Sequence, residues 1–237
     1  MTTPPPCLLV LFDLDGTLLD TQDAGIRAYE AAGAELFGID FSYDGIPVHG
    51  RLDHENYRLG MTRHLADHDP EAHESIFIDA YHRHLARIGA ASGGFSPLPG
   101  ISALIEELSA RVDVELGMLT GNWEAPGRTK LELGSLSPDR FTTCAWAEDG
   151  AERNELVPVA SERYASVHGV RPKHVLVIGD TPRDVECAVV NGALAIAVAT
   201  GVHDVASLSG IGARLVVSDL ADPASFRRLL DELADSD

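Results

Sequence analysis

The stretch that most limits how this chain can fold runs from Cys7 to Asp20, CLLVLFDLDGTLLD. Cys7 to Phe12 is an unbroken apolar run. A strand covered on both faces reads this way, whereas a half-exposed strand alternates. The run stops at Asp13 and Asp15, followed by Gly16 and Thr17. Side chains two apart lie on the same side of an extended chain. In open α/β sheets, ligands bind beyond the carboxyl ends of the strands. The spacing therefore predicts a nucleophile or metal ligand and a second acid within reach of one ligand. Gly16 permits the sharp turn that lifts the chain off the strand.

Two later stretches end in the same manner. The segment Val112 to Leu119 predicts a strand that stops at Thr120-Gly121-Asn122. A hydroxyl and loop N–H groups at such an end all point donors at one spot, which suits a phosphoryl oxygen. The segment HVLVIGDTPRDVECA predicts another strand, stopping at Gly179-Asp180, with Asp184 four residues on. Pro182 is well placed in the first turn of the helix that follows. Apolar runs over 141–147, 194–199 and 214–217 predict further strands. Helices are expected over 101–110, 125–133, 154–168 and 223–234. This alternation implies a Rossmann-like, doubly wound parallel sheet with helices on both faces.

Between the first strand and Gly100 the pattern changes. Helices are expected from the cap residues Asp20 and Thr21 to about Phe37, then over 53–66 and 70–88. Residues 89–99, GAASGGFSPLP, read as a linker. Residues 21–93 thus form a helical insertion in a core made of 1–20 and 94–237. The insertion holds seven of the ten histidines. His64 and His68 have metal-compatible spacing, but without a third ligand they read as exposed helix histidines.

DLDGTLLD resembles the first signature motif of the haloacid dehalogenase-like superfamily, whose members are mostly Mg²⁺-dependent phosphatases. LTGN resembles its second motif and GDTPRD its fourth. Gly50, Arg51 and Asp53 resemble a substrate-selecting segment of cap-bearing members, with Leu52 in place of the usual Thr. The resemblance implies that the insertion is a mobile cap hinged near Asp20 and Gly93-Gly94. It also implies that Asp13 is the nucleophile and that Asp15 is the acid–base, its pKa raised by nearby like charges. Mg²⁺ is expected on the Asp13 side chain, the Asp15 main-chain carbonyl and Asp180, with Asp184 nearby. Thr120 and a cation are expected on the phosphoryl group, and Gly16, Thr17, Gly121, Asn122 and Arg51 as substrate contacts.

The cation departs from the family's usual lysine. The chain has only two lysines, Lys130 and Lys173. Lys130 falls early, inside a helix, and Lys173 precedes a strand and so belongs at the opposite sheet edge. Arg153 is therefore assigned the role. Within the superfamily the chain resembles phosphoglycolate phosphatases. A phosphosugar mutase and a non-catalytic regulatory protein that keeps the fold remain as alternatives.

Composition narrows the partners. The net charge of −19 repels phosphate backbones, so nucleic acid is disfavoured and none is expected as a partner, and an anionic substrate needs a local cation. The expected partner is a small phosphorylated metabolite. Three scattered cysteines and the absence of a long apolar segment point to a cytoplasmic enzyme with no membrane association. Nothing in the chain indicates an oligomeric state.

Overall fold

A computed structural model describes residues 5–236. In chain order the elements begin with β1 (Leu8–Phe12), β2 (Leu19–Asp20), α1 (Ala24–Phe37), α2 (Asp53–His64) and α3 (Glu74–Ala91). Then come β3 (Ser96–Pro97), α4 (Ile101–Ser109), β4 (Val114–Leu119), α5 (Glu124–Leu133), β5 (Thr143–Ala145) and α6 (Leu156–His168). The chain finishes with β6 (His174–Gly179), α7 (Pro182–Val190), β7 (Leu194–Val198), α8 (Val205–Leu208), β8 (Leu215–Val217) and α9 (Ala224–Ala234).

Six strands form one parallel sheet in the order β5-β4-β1-β6-β7-β8. The chain winds from β1 toward β5, then returns and winds the other way from β6 to β8. The switch point lies at β1, and in such sheets the ligand crevice opens there. Phe12 is level with Met118 on one neighbour and with Ile178 on the other. This register brings Asp13, Thr120 and Asp180 to one sheet edge.

The unbroken apolar run of β1 is explained by its two covered faces. Leu8, Val10 and Phe12 pack with Leu104, Leu108, Phe226 and Leu229, from α4 and α9. Leu9 and Leu11 pack in the other cluster, with Leu156, Tyr164 and Val185 from α6 and α7. A charge at any of these positions would be buried and unpaired, which costs several kcal/mol.

Helices α1–α3 stand between β2 and β3, and those two short strands pair antiparallel. This ribbon was not expected. Two-residue strands carry no periodicity, and their pairing partners lie far apart in sequence. Helix α3 also runs to Ala91, beyond the expected end at Ile88. At α1 the expected caps do other work. The helix begins at Ala24, and the Thr21 hydroxyl instead donates to Asp15 Oδ1 at 2.9 Å. The helices bury their own aromatic cluster, with the rings of Tyr29 and Tyr81 4.5 Å apart. Trp123, from the loop after β4, joins it 5.6 Å from Tyr81. His64 is not an exposed helix histidine. Its Nε2 is engaged by the Ser42 main chain, and its ring lies 4.9 Å from Phe41. His68 lies beyond the end of α2, so the metal-compatible helical spacing is not realised.

Candidate active site

Three buried carboxylates meet at the edge defined by β1, β4 and β6. Asp13, Asp180 and Asp184 each offer an oxygen within 4.8 Å of the others. Asp13 follows β1, and its N–H donates to the Ile178 carbonyl at 2.9 Å. Asp180 follows β6. Asp184 lies in the first turn of α7, where it forms a capping box with Thr181, accepting from the Thr181 N–H and hydroxyl. Gly16 has φ +77°, and a Cβ there would sit 2.6 Å from Asp180 Oδ2. The turn after β1 can therefore pass over Asp180 only with glycine at this position. Thr17 donates to Asp180 Oδ1 at 3.1 Å and orients it. Gly16 and Thr17 thus back Asp180 and do not line the cavity.

Arg153 lies just before α6 and is buried against this cluster. Its Nη2 lies 3.3 Å from Asp13 Oδ1 and donates to Asp184 Oδ1. Its Nη1 donates to the Gly50 carbonyl at 3.3 Å, in the loop before α2. A lysine has one ammonium and could not serve both sides in this way. Burial works against the Arg153 charge, but the Asp184 and Asp13 carboxylates outweigh it and hold the guanidinium protonated. Burial pushes Asp13 up to about 6, although Arg153 pulls the other way. Burial, reinforced by the Asp184 and Asp13 charges, pushes Asp180 up to about 8.

Asp15 differs from expectation. Its enclosure works to raise the pKa, but Lys130, Asn122 and Thr21 outweigh it and hold the carboxyl below its usual range. Lys130 Nζ lies 2.6 Å from Asp15 Oδ2 and 2.6 Å from Asn122 Oδ1, and Asn122 Nδ2 donates to Asp15 Oδ2 at 2.9 Å. A cation in contact dominates the like charges that were expected to prevail. Lys130 is therefore a site residue, although its partner is Asp15 and not Asp13. One of only two lysines in the chain, carried on the helix that follows Thr120, was the available signal. Thr120 is fully buried beneath this network, its Oγ1 accepting from Asn122 Nδ2 at 2.9 Å.

The loop and helix above close the cavity. Asp53 N–H donates to the Gly121 carbonyl at 2.6 Å, and Asp53 Oδ2 accepts from Trp123 N–H at 2.9 Å. A Cβ on Gly121 would sit 2.0 Å from the Arg51 carbonyl oxygen. Gly121→Ala must lift the 50–53 loop, with an expected loss of about 1–3 kcal/mol. The measurement is the drop in melting temperature against wild type. The Arg51 side chain turns back on its own loop, with Nε donating to the Pro47 carbonyl at 2.8 Å and Nη1 3.7 Å from Glu55. The cavity between them is about 110 Å³, lined by Asp13, Asp15, Asn122, Lys130, Arg153 and Asp180 below. From above come Arg51 and residues that sequence reasoning did not single out, among them Asp23, Tyr29, Asn56 and Tyr81. These have no motif spacing and meet only through the packing of α1–α3.

A parallel α/β sheet with buried carboxylates clustered at its switch point defines an α/β protein whose ligand crevice opens there. The comparisons give the family. The model of the haloacid dehalogenase-like hydrolases matches residues 8–192, and the chain belongs to that family. Protein CbbY of Cupriavidus necator is 30% identical over 91% of this chain and 86% of its own length. A phosphoglycolate phosphatase of Synechococcus elongatus is 29% identical over 84% of this chain and 87% of its own. Among solved structures, CbbY from Rhodobacter sphaeroides in complex with phosphate matches with a TM-score of 0.67 at 20% identity. That match covers 91% of this chain and 95% of the other. A hydrolase from Pseudomonas syringae matches at 0.64 and 21%, covering 95% and 98%. At such identities the structures bear on the fold alone.

Proposed function

We propose that this hydrolase cleaves small phosphomonoesters with Mg²⁺, through a phosphoryl group carried transiently on Asp13. The observation that carries this reading is the meeting of Asp13, Asp180 and Asp184 at the β1 switch point, with Arg153 against them. The donor set fits Mg²⁺, because it is all oxygen and, among the described residues, three buried carboxylates face a single cation, Arg153. Asp13 and Asp180 would hold the ion through side-chain oxygens. Asp184, bound by Arg153 and Thr181, supports them. When bound, the ion neutralises the acids and the charge on the transferring group.

Asp13 attacks phosphorus as the bond to the leaving alkoxide breaks, forming an aspartyl phosphate. Asp15 gives its proton to the alkoxide, then takes one from the water that attacks the aspartyl phosphate, releasing inorganic phosphate. Arrival of a phosphate dianion beside Asp15 works to raise its pKa against the pull of Lys130. Arg153 stabilises the phosphoryl oxygens, and Thr120 and Asn122 hold the loop that frames them. Residues 21–93 act as a cap that admits substrate by moving off the core and excludes water on closing. The cavity is smaller than the ~300 Å³ lower end of drug-sized pockets, in keeping with a small metabolite.

The three cysteines are free, and among the described residues no helix is long and apolar enough to cross a membrane. We take the enzyme to be cytoplasmic on the unpaired thiols. The test is phosphate release from p-nitrophenyl phosphate. Chelation should cost several kcal/mol of barrier, ~10³-fold in rate, with recovery on adding Mg²⁺. Full turnover in chelator contradicts the proposal.

A further inference from the structure

The phosphatase reading leaves the alcohol half of the substrate unassigned, and the charges around the cavity bear on it. Among the described residues, three lysine or arginine side chains line the cavity, and each is engaged. Arg153 is held by Asp13, Asp184 and the Gly50 carbonyl. Lys130 is held by Asp15 and Asn122. Arg51 is turned onto Pro47 and Glu55. Besides Arg51, His49 and the Tyr29 and Tyr81 phenols, the insertion contributes acceptors to the wall. Asp23 and Asp53 both line the cavity. Asn56 also lines it, is 5% exposed, and has an Oδ1 with no hydrogen-bond partner among the described residues. A carboxylate or second phosphate on the substrate would meet two carboxylates, three cations already paired and the imidazole of His49. A hydroxyl would meet the buried, unpartnered Asn56 Oδ1, an acceptor that needs a donor.

We propose that the accepted ester is that of a neutral, hydroxyl-bearing alcohol, a short polyol or sugar, and that a second anionic group on the substrate is selected against. This rests on the phosphatase reading and separates the chain from relatives named for phosphoglycolate, whose alcohol carries a carboxylate. Small neutral groups also suit a cavity of about 110 Å³.

The experiment compares kcat/KM with Mg²⁺ for glycerol 3-phosphate, erythrose 4-phosphate, 2-phosphoglycolate, fructose 1,6-bisphosphate, phosphoethanolamine and p-nitrophenyl phosphate. Binding of the same esters to Asp13→Asn is measured by calorimetry. The polyol and sugar monophosphates should exceed 2-phosphoglycolate and the bisphosphate by at least about tenfold in both readouts, because juxtaposed like charges are strongly discriminating. Asp53→Asn, which keeps the acceptor oxygen and the volume, should narrow that gap. Asn56→Leu should lower kcat/KM for the polyol ester more than for p-nitrophenyl phosphate. If p-nitrophenyl phosphate is hydrolysed but 2-phosphoglycolate, the bisphosphate or phosphoethanolamine is preferred, the inference fails and the phosphatase reading stands. Loss of an anion preference in Arg51→Ala would then identify Arg51 as the clamp. No turnover of any ester, p-nitrophenyl phosphate included, removes the phosphatase reading itself.

Discussion

Asp13→Asn should abolish turnover, with kcat down by at least ~10⁴-fold, as for loss of a nucleophile in other covalent enzymes. The amide keeps the size and one oxygen of the carboxylate but cannot displace an alkoxide from phosphorus. No acid-stable trace of phosphoryl-enzyme should remain when the variant is mixed with substrate and quenched. The loss should not come from unfolding. Burial raises the Asp13 pKa to about 6, so ionising it costs more in the folded state than in the unfolded one. An acid with a raised folded pKa lowers stability as pH rises from near 4 through about 6, and the full penalty stands at pH 7. Removing the charge lifts that penalty. Metal-free Asp13→Asn should therefore melt at or above the wild-type temperature at pH 7, and the difference should shrink toward pH 4. A variant that melts well below wild type would mean that the Arg153 pair outweighs the burial cost.

Arg153→Ala should have the opposite signature, losing both stability and rate. It leaves Asp13, Asp180 and Asp184 facing one another with no positive charge between them. Deleting one partner of a buried ion pair costs about 3–5 kcal/mol. For a chain of this length that is roughly 6–20 °C in melting temperature, read by calorimetry without metal. The rate should fall by ~10²–10³-fold, as for removal of a donor to a developing oxyanion. Arg153→Lys should recover most of the stability, since one cation still faces the acids. It should not recover the arm that reaches the Gly50 carbonyl. Lys130→Ala is the informative partner, because its charge is on Asp15. Activity that survives in Arg153→Ala and disappears in Lys130→Ala would exchange the roles given to the two cations.

Much of the core could be read from residue order. Strands that end in an acid or a hydroxyl are visible as apolar runs with an abrupt polar stop, and β1, β4 and β6 were each found this way. The three successive helices α1–α3 were visible as a change from strand–helix alternation to helices alone. Arg153 could be placed by exclusion, because few bases stood near the right element. Lys130 escaped that reasoning. Its sequence distance from Thr120 says nothing of a side chain that crosses from α5 to Asp15. The Asp15 pKa was misjudged for the same reason, since counting acids in a motif omits a cation supplied by another helix. The β2–β3 ribbon has no local signature, because its two halves are held together only by the folded core between them.

The sequence alone determined which strands are buried on both faces, and which of their ends carry acids. Burial pattern and turn chemistry are local properties, written within a few residues of one another. Tertiary structure decided which charges touch. Arg153 bridges Asp13, Asp184 and the Gly50 carbonyl, Lys130 pairs with Asp15, and Asp23, Asp53 and Asn56 line one cavity. Electrostatic interactions depend on distances between groups far apart in the chain, and only the packing of α1–α3 and α5 against the sheet sets those distances.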